Sequence, residues 1–135
     1  MPRATVQDLT ADARAFLTER HLATFTTLRA DGTPHVTPVG FTWDEEAGVA
    51  RVITSGTSQK ATNARGGVRA VLCQLEGPRW LSLEGIATTT DDPAVIADAV
   101  ARYSARYRVP RENPARVAIE IAVTRVLGSG KMLER

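Results

Sequence analysis

Six β-prone runs, most of them joined by short turns, constrain the fold of this chain more than any other feature. The runs span residues 21–28, 35–43, 49–54, 68–75, 79–89 and 116–127. Asp31-Gly32, between the first two runs, is a strong signal for a hairpin turn. Strands joined by short turns pair antiparallel, because a parallel pair needs a long crossover connection. We therefore predict a mainly antiparallel sheet that closes or half-closes into a barrel, in preference to a doubly wound sheet.

Three helical segments are expected at the margins of this barrel. Residues 8–20 carry an apolar face at helical spacing. A short helix capped by Thr57 or Ser58 runs to about Arg65. The clearest helix begins at Pro93, which follows two aspartates and suits the first helical position. The expected fold class is thus mainly β with flanking helices.

Length and composition favour one ordinary globular domain. The chain has 135 residues, 43% of them hydrophobic and 24% charged, with a net charge of +2. We expect a single domain over residues 1–135, with a loose tail over about 129–135. The small net charge gives no reason to expect a nucleic-acid partner, and no run approaches the ~18 apolar residues of a membrane span. The N-terminal residues do not form a secretory signal, so we expect a cytoplasmic protein without a membrane partner.

The side chains that catalysis or metal binding usually needs are scarce. His21 and His35 are the only histidines and lack the spacing of metal ligands, so no metal site is expected. Cys73, the only cysteine, stands in an apolar run, where a structural role is the ordinary one. No residue is assigned as catalytic. If the chain is an enzyme, a bound cofactor carries the chemistry and the protein supplies binding and orientation.

The loop after the third β-prone run is the first candidate site. Its sequence, TSGTSQKATNAR over residues 54–65, offers hydroxyl groups, a glycine and the start of a helix. Lys60 lies in the first turn, where the helix dipole disfavours a cation by roughly 0.3–1 kcal/mol unless an anion binds there. The pattern leaves two interpretations open: a phosphate site, or a helix that Ser58 caps while Lys60 lies in solvent.

Two further segments are compatible with ligand binding but do not require it. The second run contains Pro38, which has no N–H, and Gly40, so either a flat ligand lies against it or proline protects an edge strand from pairing. Five arginines cluster near the third helix and either gather an acidic ligand or form a solvated surface. They are Arg102, Arg106, Arg108, Arg111 and Arg116.

Four segments together resemble a known enzyme family. They are HLATFTTLRADGTPHVTPVGFTWD (21–44), RVITSGTSQKATNAR (51–65), GPRWLSLEGIA (77–87) and RVAIEIAVTRVLGS (116–129). They resemble the flavin- and deazaflavin-dependent oxidoreductases with the split β-barrel fold, the group that includes pyridoxamine 5′-phosphate oxidase. Within that group they are similar to small enzymes that use the deazaflavin coenzyme F420. The resemblance covers about residues 12–130.

The resemblance implies a fold, a coenzyme site and a quaternary structure. The fold is a six-stranded antiparallel split β-barrel of the FMN-binding type, and the protein is a homodimer with the coenzyme in a groove between subunits. The second strand lies along the deazaflavin ring, and the loop at 54–60 holds the coenzyme phosphate. The residues expected to bind the cofactor are His35, Val36, Thr37, Pro38, Val39, Arg51, Thr54, Ser55, Ser58, Gln59, Lys60, Arg65, Arg79 and Trp80. Pro38 stands where alanine is typical of these enzymes, which leaves the ring contacts at that position open.

The resemblance also implies the reaction. Reduced F420 would donate a hydride to an unsaturated acceptor, with the tetrapyrrole biliverdin as the leading substrate, reduced to bilirubin at its central methine carbon. Arg106 and Arg111 would bind the propionates of this substrate or the glutamate tail of the coenzyme. Two alternatives remain: an FMN-dependent oxidase of the same fold, and a non-catalytic carrier of the coenzyme or of a haem-derived pigment.

Overall fold

The computed structural model describes residues 3–134, which contain seven β-strands and three α-helices. The strands are β1 Ala23–Leu28, β2 Pro34–Val39, β3 Thr42–Asp44, β4 Val49–Ser55, β5 Val68–Glu76, β6 Arg79–Thr90 and β7 Arg116–Gly128. The helices are α1 Ala11–Phe16, α2 Gln59–Asn63 and α3 Pro93–Arg106, and single 3₁₀ turns cover Val6–Asp8 and Gly130–Met132. None of these helices is long and apolar enough to cross a bilayer.

All seven strands form one antiparallel sheet in the order β2-β1-β5-β6-β7-β4-β3. The end strands are β2 and β3, and β3 pairs only with residues 49–51 of β4. Residues 52–55 of β4 therefore have a strand partner, β7, on one side only within the described chain. The sheet curls so that this half of β4 and the end of β2 line the same cavity. This arrangement confirms the predicted mainly β, half-closed antiparallel barrel.

The sheet has seven strands where six were predicted, because the second predicted strand is interrupted at Gly40 and Phe41. There the backbone bonds to side chains at the C-terminal end of α3 and of the residue after it, instead of to a neighbouring strand. The Phe41 N–H donates to Tyr107 Oη at 3.2 Å, and the Phe41 carbonyl accepts from Arg106 Nη1 at 2.6 Å. A Cβ at Gly40 would lie 3.0 Å from Tyr103 Cε2, so any side chain there would push the tyrosine ring away.

The hydrophobic core lies between the sheet and α1. Its largest fully buried side chains include Phe16, Phe25, Phe41, Leu72 and Ile119. Each such side chain contributes roughly 1.5–3 kcal/mol by leaving water. Along β5, alternate residues are buried, as expected of a strand with one face on the core. Core packing therefore fixes the positions of β2 and β4, the strands that line the candidate site.

Residues 129–134 pack against the start of the chain, whereas a loose tail was predicted over about 129–135. Leu133 forms a β-bridge with Leu9, and the Thr10 N–H donates to the Met132 carbonyl at 3.1 Å. Met132 and Leu133 are both buried. Their partners lie at the other end of the chain, so local sequence gave no sign of this packing. Arg135 lies outside the described residues.

The first helix is shorter than the predicted range 8–20. Leu9 is held in the bridge to Leu133, so helix α1 begins only after Thr10. The Thr10 hydroxyl caps this helix by accepting the Ala13 N–H at 3.1 Å. The other two predicted helices are present as α2 and α3.

Candidate functional site

A cavity of about 290 Å³, which we call the edge cleft, lies between the two ends of the sheet. The end of β2 and the half of β4 that β3 leaves uncovered form two of its walls. Helices α2 and α3 and the connection from α3 to β7 complete it. Its described lining residues are Pro38, Val39, Gly40, Ile53, Thr54, Ser55, Lys60, Tyr103, Pro110, Asn113 and Arg116. Five residues expected to bind a cofactor are among them: Pro38, Val39, Thr54, Ser55 and Lys60.

The charged side chains that line the edge cleft are both cations. They are Lys60 and Arg116, and neither forms a salt bridge within residues 3–134. Both residues are half-buried, so salt and water screen them less than fully exposed cations. The hydroxyls of Thr54 and Ser55 add neutral hydrogen-bonding groups. The cleft therefore favours an anionic ligand.

The start of α2 explains why a serine stands at position 58. Ser58 is the helix cap: its Oγ accepts the Ala61 N–H at 3.2 Å and a hydrogen bond from Thr54 Oγ1 at 3.0 Å. Ser58 holds the helix and orients Thr54 without lining the cleft itself. The helix cap and the anion site, which the sequence presented as alternatives, can therefore exist together. Ser58 caps the helix, whereas Lys60, Thr54 and Ser55 line the cleft.

The loop between β4 and α2 is fixed to the start of β7. The Gly56 N–H donates to the Ala115 carbonyl at 2.7 Å, and Ser55 lies opposite Arg116 in the β4–β7 pair. Arg65, expected near the coenzyme, donates from Nη2 to the Gly56 carbonyl at 3.2 Å. The structure thus uses Arg65 to brace the loop and does not place it in the lining of the cleft.

Strand β2 turns alternate side chains to the two faces of the sheet. His35 and Thr37 lie on the face that Phe25 of β1 shares, and Val36 lies on the other face. His35 Nδ1 and Thr37 Oγ1 are buried and have no hydrogen-bond partner in the described part of the chain. Of the stretch expected to follow the ring, the structure brings Pro38 and Val39 to the cleft but not His35, Val36 or Thr37.

Two more residues expected to bind the cofactor are engaged within the protein. Arg51 Nη1 lies 2.9 Å from Asp44 Oδ2 and Arg51 Nε lies 3.0 Å from Glu120 Oε2. The hydrogen bond from Arg51 is the largest cause that lowers the pKa of Asp44 below its ordinary value. Gln59 Nε2 donates to Asn63 Oδ1 at 2.6 Å. Neither Arg51 nor Gln59 lines the edge cleft.

Arg106, expected to bind substrate, holds α3 against the barrel instead. Its guanidinium donates to the carbonyls of Glu19 at 2.8 Å and Phe41 at 2.6 Å, and to Gln74 Oε1 at 2.5 Å. Desolvation by burial lowers the pKa of this guanidinium. The side chain does not line the cleft, and these three acceptors account for its fixed position.

Arg79 and Trp80 lie at the turn between β5 and β6 and do not line the cleft of their own chain. Arg79 Nη2 lies 3.2 Å from Glu19 Oε1, and the Arg79 guanidinium carbon is 4.6 Å from the centre of the Phe16 ring. Trp80 is 38% exposed. A contribution of these two residues to the coenzyme groove therefore requires a second subunit.

Four lining residues were not singled out by the sequence: Ile53, Tyr103, Pro110 and Asn113. Arg116 is the member of the arginine cluster that the fold brings into the cleft. Its position opposite Ser55 follows from the pairing of β4 with β7, which local sequence does not reveal. The side chain of Arg111 is exposed and outside the cleft, and its carbonyl accepts a hydrogen bond from the Arg116 guanidinium.

A separate surface, which we call the outer apolar face, lies on the exterior of the sheet. It comprises Leu28, Val36 and Ile86, which are 53%, 55% and 43% exposed. Leu28 and Ile86 line a groove of about 410 Å³, and Val36 stands beside it, opposite Thr26 of the same groove. Neighbouring exposed apolar side chains of this kind are typical of an interaction surface.

Comparison with known proteins identifies the family of this chain. A family model described as pyridoxamine 5′-phosphate oxidase matches residues 9–130. The F420H2-dependent biliverdin reductase of Mycobacterium tuberculosis (strain CDC 1551 / Oshkosh) is 56% identical over 131 residues, which are 97% of this chain and 96% of that protein.

Solved structures of low sequence identity share the fold. A conserved hypothetical protein of Mycobacterium tuberculosis superposes with a TM-score of 0.76 at 23% identity, over 95% of this chain and 89% of that chain. An F420 reductase superposes with a TM-score of 0.69 at 24% identity, over 84% of this chain and 94% of that chain. The predicted split-barrel fold is confirmed. The chain belongs to the pyridoxamine 5′-phosphate oxidase family.

Proposed function

We propose that this protein is an F420-dependent reductase that transfers a hydride from the reduced coenzyme to biliverdin and so forms bilirubin. The observation that carries the proposal is the 56% identity, over 97% of the chain, to the F420H2-dependent biliverdin reductase of Mycobacterium tuberculosis. The edge cleft supports it, because F420 carries a phosphate and a glutamate tail, and the charged side chains lining the cleft are cations.

The edge cleft has a donor set that fits such a coenzyme. Lys60 would hold the phosphate by a charge-assisted hydrogen bond, to which the hydroxyl of Ser55 adds a neutral bond, while Thr54 keeps its hydrogen bond to Ser58. Pro38 and Val39 would form the wall along which the ring lies. The reduced deazaflavin supplies a hydride when it is bound. The residues of this chain contribute binding and orientation, which convert an encounter in solution into a reaction between positioned groups.

The product also requires a proton. No histidine or carboxylic acid is found among the described residues that line the cleft. We therefore propose that the proton comes from water or a weak acid, and no side chain is assigned as catalytic. In this scheme the protein accelerates the reaction chiefly by placing donor and acceptor together.

We also propose that the protein is a homodimer joined through the outer apolar face. A two-fold contact would cover Leu28, Val36 and Ile86 of both copies, since the same patch meets itself in an isologous interface. Arg79 and Trp80 would then be supplied to the coenzyme groove by the partner subunit. We place this dimer in the cytoplasm, because a chain with one cysteine forms no internal disulfide and needs no oxidising compartment.

Reoxidation of the reduced coenzyme tests the proposed activity. When protein, F420H2 and biliverdin are mixed, the visible absorbance of oxidised F420 should return and bilirubin should form in equal amount. Omitting any of the three components should abolish both signals. Binding of F420H2 without reoxidation would favour the carrier alternative, and tight binding of FMN with no response to F420 would favour the oxidase alternative.

A further inference from the structure

We propose that Arg116 and Asn113 form a second anion subsite in the edge cleft, one that binds a carboxylate of the coenzyme or of its acceptor. The inference rests on the proposed function and deepens it, because it extends the ligand chemistry of the cleft from one acidic group to two. It begins from the two cations of the cleft, which belong to different elements: Lys60 to α2 and Arg116 to β7.

One hydrogen bond positions the Arg116 guanidinium, and its other N–H groups have no partner among the described residues. Arg116 is the first residue of β7 and lies opposite Ser55 of β4. One of its terminal nitrogens, Nη2, donates to the Arg111 carbonyl. Within residues 3–134, its Nε and Nη1 have no hydrogen-bond partner, and the guanidinium has no carboxylate partner. A guanidinium held in this way keeps free N–H donors that can bind a carboxylate.

Asn113 adds a second donor beside Arg116. Its Oδ1 accepts the Ala115 N–H at 2.9 Å, and its carbonyl accepts the Arg116 N–H at 3.0 Å. The amide oxygen is therefore used inside the turn, which leaves the Nδ2 donor for a ligand in the cleft that Asn113 lines. A guanidinium and an amide N–H together present donors only, which is the chemistry that recognises a carboxylate.

Charge balance is the reason to expect a second acidic group. Lys60 and Arg116 are half-buried like charges on one cavity of about 290 Å³, so they repel each other when the cavity holds no anion. The phosphodiester of F420 carries a single negative charge and compensates one cation. A carboxylate at Arg116 would compensate the other. The glutamate tail of F420 and the propionates of biliverdin both offer one, and the experiment separates these sources.

The test measures two ligands, F420 with and without its glutamates and biliverdin with free and with esterified propionates. Arg116→Gln should raise the Kd of glutamate-bearing F420, or the KM for biliverdin, about tenfold to hundredfold, the range of a charge-assisted bond. If the rise in Kd caused by Arg116→Gln disappears with F420 that lacks glutamates, the carboxylate bound by Arg116 belongs to the glutamate tail. If the rise in KM caused by Arg116→Gln disappears with biliverdin dimethyl ester, the carboxylate bound by Arg116 is a propionate of biliverdin. Arg116→Lys keeps the positive charge but removes the guanidinium, so its Kd or KM should lie between those of the wild type and of Arg116→Gln.

Two more variants test the role of Asn113 and control for the loss of a positive charge. Asn113→Asp keeps the oxygen that accepts the Ala115 N–H but adds a negative charge, so it should weaken binding of the same ligand and of no other. Arg108→Gln removes an exposed charge from the same connection, outside the cleft, and should change neither constant.

Two results would overturn the subsite. One is an Arg116→Gln protein whose Kd for F420 and KM for biliverdin equal those of Arg108→Gln with every form of the two ligands. The other is an equal loss with F420 that lacks glutamates and with biliverdin dimethyl ester, which would mean that Arg116 contacts another group of the ligand or only supports the fold. Either result leaves the proposed function standing if the wild-type protein still reduces biliverdin with F420H2. Failure of the wild-type reaction would instead contradict the proposed function.

Discussion

Lys60 shows how the meaning of one residue depends on its surroundings. A cation in the first turn of a helix meets the positive end of the dipole, which disfavours it in the absence of an anion. The structure places this lysine in the lining of the edge cleft, with no salt bridge in the described chain. An anion bound in the cleft would compensate the charge of this lysine.

Lys60→Ala should therefore weaken F420 binding by about 1.5–3 kcal/mol, because it removes a charge-assisted hydrogen bond. The free energy of unfolding should change by less than about 0.5 kcal/mol, as for other residues without buried partners. Fluorescence titration measures the first quantity and urea unfolding the second. Lys131→Ala, which removes the other lysine from an exposed position, is the matched control. Equal affinity of the two variants would place Lys60 outside the site.

Asp44 couples the stability of the protein to pH. Its buried carboxylate lies 2.9 Å from Arg51 Nη1 and 3.3 Å from Arg102 Nη2, and the Arg51 bond is the largest cause that lowers its pKa. A pKa lower in the folded state means that the unfolded chain binds more protons in acid. This stabilisation is fully present above the ordinary aspartate value of about 3.9 and is lost as pH falls through the folded-state value.

Asp44→Asn should make the loss of stability in acid less steep. Urea unfolding from about pH 5 to about pH 2 should show the wild-type free energy of unfolding falling faster than that of the variant, which starts lower at neutral pH. Asp12→Asn removes an exposed carboxylate from α1 that forms no salt bridge in the described residues, and it should keep the wild-type slope. A variant at position 44 that also keeps that slope would contradict this account of the ion pair.

Among the elements, the pairing of β6 with β7 depends on one glycine. The register shifts between Glu84 and Gly85, where β6 forms a bulge. A Cβ at Gly85 would lie 2.0 Å from the Ala122 carbonyl oxygen and 2.7 Å from its carbonyl carbon. Those atoms belong to the backbone of β7, which cannot yield without breaking the pair.

Gly85→Ala should therefore destabilise the protein by about 3 kcal/mol or more, above the usual cost of overpacking. Urea unfolding, or the soluble yield if the variant does not fold, measures the effect. Glu84→Ala alters the other side of the same bulge without introducing atoms into β7 and should stay within about 0.5 kcal/mol of wild type. A stable Gly85→Ala protein would show that the bulge can relax.

The elements also show what the sequence could predict. Turn signals and alternation located the strands, because these patterns are local. The break at Gly40 was not predicted, since its cause is Tyr107 and Arg106 binding the backbone of Phe41 from the C-terminal end of α3. The arginine cluster was uninformative for the same reason: Arg106 and Arg116 look alike along the chain, and only the packing of α3 and the register of β7 separate a structural role from a place in the cleft.

At the scale of the whole molecule, the edge cleft exists because the sheet does not close. Its walls come from β2 and β4, which lie near opposite ends of the strand order, and β3 is too short to cover the second half of β4. The pattern of residues 54–65 singled out Lys60 but left a phosphate site and a solvent-exposed lysine both open. The residues from α3 and from the connection to β7 were not predictable, since they become neighbours only through the curl of the sheet.

The outer apolar face carries the last prediction, which concerns assembly. Ile86→Glu places a charge in the proposed two-fold contact, where burying it unpaired is costly, so the protein should sediment as a monomer. Val109→Glu is the matched control, because Val109 is 80% exposed but lies outside that face, and this variant should remain a dimer. Sedimentation velocity measures both, and circular dichroism checks that each variant is folded.

The same Ile86→Glu variant also tests whether the dimer completes the site. If the partner subunit supplies Arg79 and Trp80 to the groove, a folded monomer should bind F420 more weakly than the dimer, although every residue of its own edge cleft is unchanged. A monomer with wild-type affinity would show that the cleft suffices alone and that these two residues act only within their own chain, where Arg79 already pairs with Glu19. A wild-type protein that sediments as a monomer would contradict the proposed interface itself.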